Sequence, residues 1–65
     1  MVLMSRAQRQ VLSIVANAAA DCRAADFCRP EEVKVVRQLV KRGILKMWAT
    51  GTTTGGYKDY LATYA

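Results

Sequence analysis

The stretch Pro30-Glu31-Glu32-Val33-Lys34-Val35-Val36-Arg37-Gln38-Leu39-Val40-Lys41-Arg42-Gly43-Ile44-Leu45-Lys46 decides how this chain is read. Pro30 suits the first helical position, where a backbone N–H has no partner in any case. Glu31 and Glu32 set negative charge against the positive end of the helix dipole, and Lys41 and Arg42 do the reverse at its far end. Between them Val33, Val36, Leu39 and Val40 recur at three- and four-residue spacing and form an inward stripe. Val33, Val35 and Val36 are β-branched and weaken intrinsic helix propensity, but the caps and the period outweigh that. Gly43 can adopt the left-handed conformation that closes a helix, which leaves Ile44 within reach of Leu39. The predicted helix spans 30–42.

Downstream, Ile44 to Thr50 alternates Ile44/Lys46/Trp48/Thr50 against Leu45/Met47/Ala49, as a strand does. Gly51-Thr52-Thr53-Thr54-Gly55-Gly56 reads as a flexible loop with glycines at the turn, and Tyr57 to Tyr64 as the return strand. Upstream, Ser5-Arg6-Ala7-Gln8 is a capping box that opens a first helix over residues 5 to about 20. Ala7, Val11, Ile14, Val15 and Ala18 form its apolar stripe, with Leu12 at the edge. Arg6, Arg9, Gln10, Ser13 and Asn17 form its polar face, either simply solvated or offering Arg6 and Arg9 to a phosphate backbone. The segment 21–29 joins the two helices. Asp21 is a good N-cap for a short middle helix over 22–27, with Phe27 plugging the core. A loop anchored by Phe27 satisfies the same residues.

This order of elements, and Leu39-Val40-Lys41-Arg42-Gly43-Ile44-Leu45 in particular, resembles the C-terminal half of a winged-helix (winged helix-turn-helix) DNA-binding domain. Small bacterial, phage and mobile-element regulators of that superfamily follow such a helix with a two-stranded wing. The likeness covers most of the chain in order of elements and about ten residues as a motif. It implies an α+β, winged-helix-like fold in a single domain over 1–65: two main helices with a short middle helix, then a two-stranded β-hairpin wing. It further implies that helix 30–42 is the recognition helix, with Lys34, Arg37, Gln38 and Lys41 turned to bases or phosphates of the major groove. Arg29, Arg42 and Lys46 would flank it as phosphate anchors. The chain departs from that pattern in three places. The connection before Pro30 has no glycine. The wing tip has no Lys or Arg, which leaves the hydroxyls of Thr52 to Thr54 as weak donors to phosphate. No final helix follows Tyr64, so apolar surface is expected to be covered by a homodimer partner or another protein.

Composition is consistent with this reading. At 65 residues the chain has room for one core, and a chain of that size buries only about 60% of the surface its unfolded form exposes. Runs such as Ala18-Ala19-Ala20 and Ala24-Ala25 bury little each, which again favours a homodimer. Ten Lys and Arg against five Asp and Glu give +5, a balance that suits an anionic partner such as duplex DNA or, more blandly, solubility. Cys22 and Cys28 are the only cysteines and histidine is absent, so one chain cannot complete a four-ligand zinc site. Met1 to Met4 run straight into Ser5 and Arg6, too short for the apolar core of a leader, and no apolar run approaches the ~20 residues of a membrane span. A cytoplasmic protein with reduced thiols is expected.

The sequence predicts neither an enzyme nor a cofactor site. The usual general base near neutral pH is lacking, and each thiol has only arginines nearby in sequence to activate it. Glu31 and Glu32 are adjacent on a helix and point apart. Gly51 to Gly56 lacks the lysine and following helix of a phosphate loop. The leading expectation is DNA binding in transcriptional regulation. The alternative is a protein-interaction module, such as a phage-type inhibitor or adaptor of a host protein. It would use Trp48, Tyr57, Tyr60 and Tyr64, residue types that recur at interface hot spots; otherwise Trp48 and at least one tyrosine cap the small core.

Overall fold

A computed structural model describes residues 4–65. Met1, Val2 and Leu3, part of the stretch read above as too short for a leader, lie outside the described residues. The elements in order are α1 (Arg6–Ala20), β1 (Ala25–Phe27), α2 (Pro30–Lys41), β2 (Leu45–Thr54) and β3 (Tyr57–Tyr64). The fold is α+β, two helices on one antiparallel sheet of strand order β1-β3-β2.

The helix ends follow from local chemistry. The Gln8 N–H donates to Ser5 Oγ and the Ser5 N–H to Gln8 Oε1, both at 3.1 Å, which completes the capping box of α1. At the end of α2, Gly43 N–H donates to the Val40 carbonyl and Ile44 N–H to the Leu39 carbonyl, each at 3.0 Å. With Gly43 at φ +77° this is a Schellman closure, and it brings Ile44 over Leu39 as the sequence predicts. The same closure ends α1, where Cys22 N–H donates to Ala19 at 2.9 Å and Arg23 N–H to Ala18 at 2.8 Å. There the left-handed position falls on a non-glycine, Cys22 at φ +55°.

That closure overturns the short middle helix. Asp21 is the C-cap of α1, not the N-cap of a further helix. The chain then extends, and Ala25–Phe27 forms β1, antiparallel to β3 with Ala25 opposite Ala62, Asp26 opposite Leu61 and Phe27 opposite Tyr60. Residues 21–23 are consumed in closing α1, and Pro30 disfavours helical backbone at Arg29. Too little chain is left between for two helical turns. Ala25 and Phe27 are buried while Asp26 is exposed, a period of two rather than 3.6. The sheet therefore has three strands where a two-stranded hairpin was expected, and α1 and α2 are separated by a strand.

The hairpin is also longer than predicted. The ladder runs through Thr53 opposite Lys58 and Thr54 opposite Tyr57, so the turn is only Gly55-Gly56, at φ +60° and +84°. Both signs are those of a two-residue turn whose twist matches the flanking strands. Between Ala49 (opposite Tyr60) and Thr53 (opposite Lys58), Thr50, Gly51 and Thr52 bulge against Asp59 alone. Asp59 holds that bulge: Thr52 Oγ1 and Thr54 Oγ1 donate to its Oδ2 at 2.8 and 3.0 Å, and Thr50 Oγ1 donates to its carbonyl at 3.4 Å.

The core lies between the helices and one face of the sheet. Val11, Val15 and Ala18 of α1 and Val33, Val36 and Leu39 of α2 meet Ala25, Phe27, Leu45 and Ala62. Phe27 is 2% exposed and is the core plug that the sequence predicts. Ala7 and Ile14, read as part of the α1 stripe, are instead exposed. The buried arc centres on Val11, Val15 and Ala18, and Ile14 sits at its margin. Strand alternation turns Asp26, Lys46, Trp48 and Leu61 to the sheet's other face, which no helix covers among the described residues. No helix among them is long and apolar enough to cross a membrane.

Candidate nucleic-acid interface

Burying Val33, Val36 and Leu39 fixes how α2 is rotated, and so what it offers to water. Arg37, Lys41, Lys34 and Gln38 all lie exposed on the opposite side. At 3.6 residues per turn they fall within an arc of about 100°. The sequence-predicted set on this helix is thus brought onto one continuous face. The ion pair found among the described residues is Arg23–Asp21 at 3.2 Å. Lys34 therefore has no bridge to Glu31 despite the favourable spacing, and the cations of this face are not neutralised by carboxylates.

Two residues of the face are oriented by neighbours. The Arg37 guanidinium sits over the Tyr60 ring, 5.5 Å from its centroid, and Arg37 Nη2 donates to Tyr60 Oη at 3.4 Å. This links α2 to the hairpin and limits the rotamers of the arginine. Gln38 Oε1 accepts from Gln8 Nε2 at 3.4 Å. Gln8 in turn accepts from Arg42 Nη1 at 3.3 Å, so the first turn of α1 braces the last turn of α2. Reading an adenine edge bidentately would require Gln38 to release Gln8.

The predicted flanking cations are dispersed. Arg29 precedes the first turn of α2 and Arg42 caps its end. Lys46 stands opposite Thr63, and alternation turns it with Trp48 to the uncovered face of the sheet, away from α2. The predicted threonine donors are also redirected, because Thr52 and Thr54 spend their hydroxyls on Asp59.

Sequence reasoning missed Lys58. The loop was read as ending at Gly56 with no cation at its tip, but the two-residue turn leaves Thr53–Lys58 as the last pair but one of the hairpin. Lys58 is exposed and shares the parity of Tyr60 along β3, so it lies on the sheet face that carries Arg37's partner. Alternation along a return strand beginning at Tyr57 would have found it.

The four polar aromatics do not form one surface. Tyr60 is half-buried against the core, and Tyr64 Oη donates to the Leu12 carbonyl at 3.5 Å on the helix side. Trp48 is 43% exposed on the uncovered face, opposite Leu61, and Tyr57 flanks the turn at 52%. Cys22 is exposed and Cys28 half-buried, and neither is bonded. No group of three or more His, Cys, Asp or Glu suited to a metal occurs among the described residues. Comparison with family models, curated proteins and solved structures finds no match to the chain.

Proposed function

We propose that this chain binds duplex DNA through the outward face of α2, in a winged-helix-like manner, as a small cytoplasmic regulator of transcription and not as an enzyme. The observation that carries the reading is the continuous, unneutralised face of Lys34, Arg37, Lys41 and Gln38. A helix of 12 residues is about 18 Å long and fits a major groove about 12 Å wide. Arg37, held by Tyr60, is the side chain best prepared for a guanine edge, since its planar fork loses little freedom on binding. Lys34 and Lys41 serve phosphates on either side of the groove. Lys58 on the hairpin reaches toward the same backbone. Winged-helix proteins use a hairpin in this way, and the likeness of Leu39 to Leu45 to that superfamily agrees with it.

The test is fluorescence anisotropy on a random-sequence duplex over a salt series. In non-specific binding Arg37 also meets a phosphate, so four phosphate contacts, from Lys34, Arg37, Lys41 and Lys58, predict a log–log salt slope of about −3.6, and Arg37→Gln should reduce its magnitude by about 1. A slope near zero, or one indifferent to Arg37 and Lys34, would sink the proposal. Exposed Trp48, opposite the half-buried Leu61 on the uncovered sheet face, favours the second reading, a protein-contact surface. Under it, Trp48→Ser abolishes partner capture and leaves any residual DNA affinity unchanged.

A further inference from the structure

Between α1 and α2, on the side away from the sheet, runs a groove of about 560 Å³ floored by Ala7, Val11, Ile14 and Val35. Ile14 is 40% exposed, although every other large aliphatic of α1 is buried or half-buried. The two ends of this groove differ in charge. The bonds of Gln8 to Gln38 and Arg42 set the first turn of α1 beside the last turn of α2. By the helical repeat Arg6 stands one turn before Gln10 on the rim, and Arg42 is bonded to Gln8, so both cations lie just past one end of the groove without lining it. Glu31 and Glu32, in the first turn of α2, line the other.

An apolar floor with a positive and a negative end is complementary to itself after a half-turn about an axis through its middle. A uniformly basic or acidic peptide laid along it would meet like charge at one end. We propose that the occupant is a second copy of this chain. The copies are related by a two-fold axis, with Ile14 and Val35 packing on their counterparts and Arg6 of each copy facing Glu31 and Glu32 of the other. Val35 lies on the α2 surface beside the cationic arc rather than within it, so docking leaves Lys34, Arg37 and Lys41 open. The inference does not depend on the DNA reading and is tested without DNA.

The measurement is sedimentation equilibrium of the full chain from about 10 µM to about 1 mM, where mass action reveals a weak dimer. The wild-type mass should rise from 7.2 kDa toward twice that value. Arg6→Glu alone, and Glu31→Arg with Glu32→Arg, each set like charge against like at both ends. Each should weaken association about tenfold or more. Mixed one to one, the two variants restore opposite charge at both ends and should dimerise as the wild type does. That rescue also shows both variants are folded, a point far-UV circular dichroism checks independently. A wild-type mass of 7.2 kDa at every concentration, variants that dimerise like the wild type, or a mixture that stays monomeric would each overturn the proposal.

Discussion

Replacing Cys22 by glycine should stabilise the chain by about 1 kcal/mol. Cys22 is held at φ +55° by two closing bonds, its own N–H to Ala19 and that of Arg23 to Ala18. An L-residue pays roughly 1–2 kcal/mol for that conformation, and glycine pays almost nothing there but gives back about 0.5–1 kcal/mol through the freedom of its unfolded chain. The thiol is exposed, so no packing is lost. For a domain of this size about 1 kcal/mol corresponds to roughly 4–8 °C in Tm. Two controls isolate the cause. Cys22→Ala removes the sulfur but keeps the backbone strain and should be nearly neutral. Gly43→Ala imposes the same strain at φ +77° on the end of α2, where a Cβ would meet nothing within 4 Å, and should cost about 1 kcal/mol. Urea and thermal melts under reducing conditions read all three. The reasoning fails if Cys22→Gly is no more stable than Cys22→Ala.

Phe27→Ala removes the one aromatic among the buried core residues. The usual cost of about 3–5 kcal/mol is close to the whole stability of so small a domain. Far-UV circular dichroism should show a largely unfolded chain, and a cooperative melt within a few degrees of the wild type would contradict the placement of β1. Asp59→Ala deletes the acceptor of Thr52 and Thr54. Amide exchange should quicken at Thr53, Thr54 and Lys58 but not at Met47 or Ala62; uniform acceleration along the hairpin would mean that Asp59 does not hold the bulge.

What was legible in the sequence was what local chemistry decides. Pro30, the paired glutamates and Gly43 fix both ends of α2 without help from the rest of the chain, and its period of 3.6 then sorts Lys34, Arg37, Gln38 and Lys41 onto one face. What was illegible depended on partners distant in sequence. Three residues become β1 only because β3, more than thirty positions later, lies beside them. The local cue at Asp21 pointed the wrong way because the left-handed position that ends α1 is filled by Cys22 instead of the expected glycine. Gly51 looked like the start of a loop because the bulge that accommodates it is held by Asp59 across the hairpin, and that misreading concealed Lys58.

Ile14 shows the same division between local and distant cause, with a consequence for function. Its spacing assigns it to the α1 stripe, and by the helical period that assignment is right. Whether a stripe residue is buried depends on how wide an arc its neighbours cover. Here α2 and the sheet reach Val11, Val15 and Ala18 and stop short of Ala7 and Ile14. Periodicity alone cannot tell a core residue from one awaiting a partner; the coverage of the arc can. The apolar width that α1 has beyond what its own fold covers forms the floor of the groove. The opposed charges at the two ends of that groove make a second copy of the chain the occupant that satisfies both.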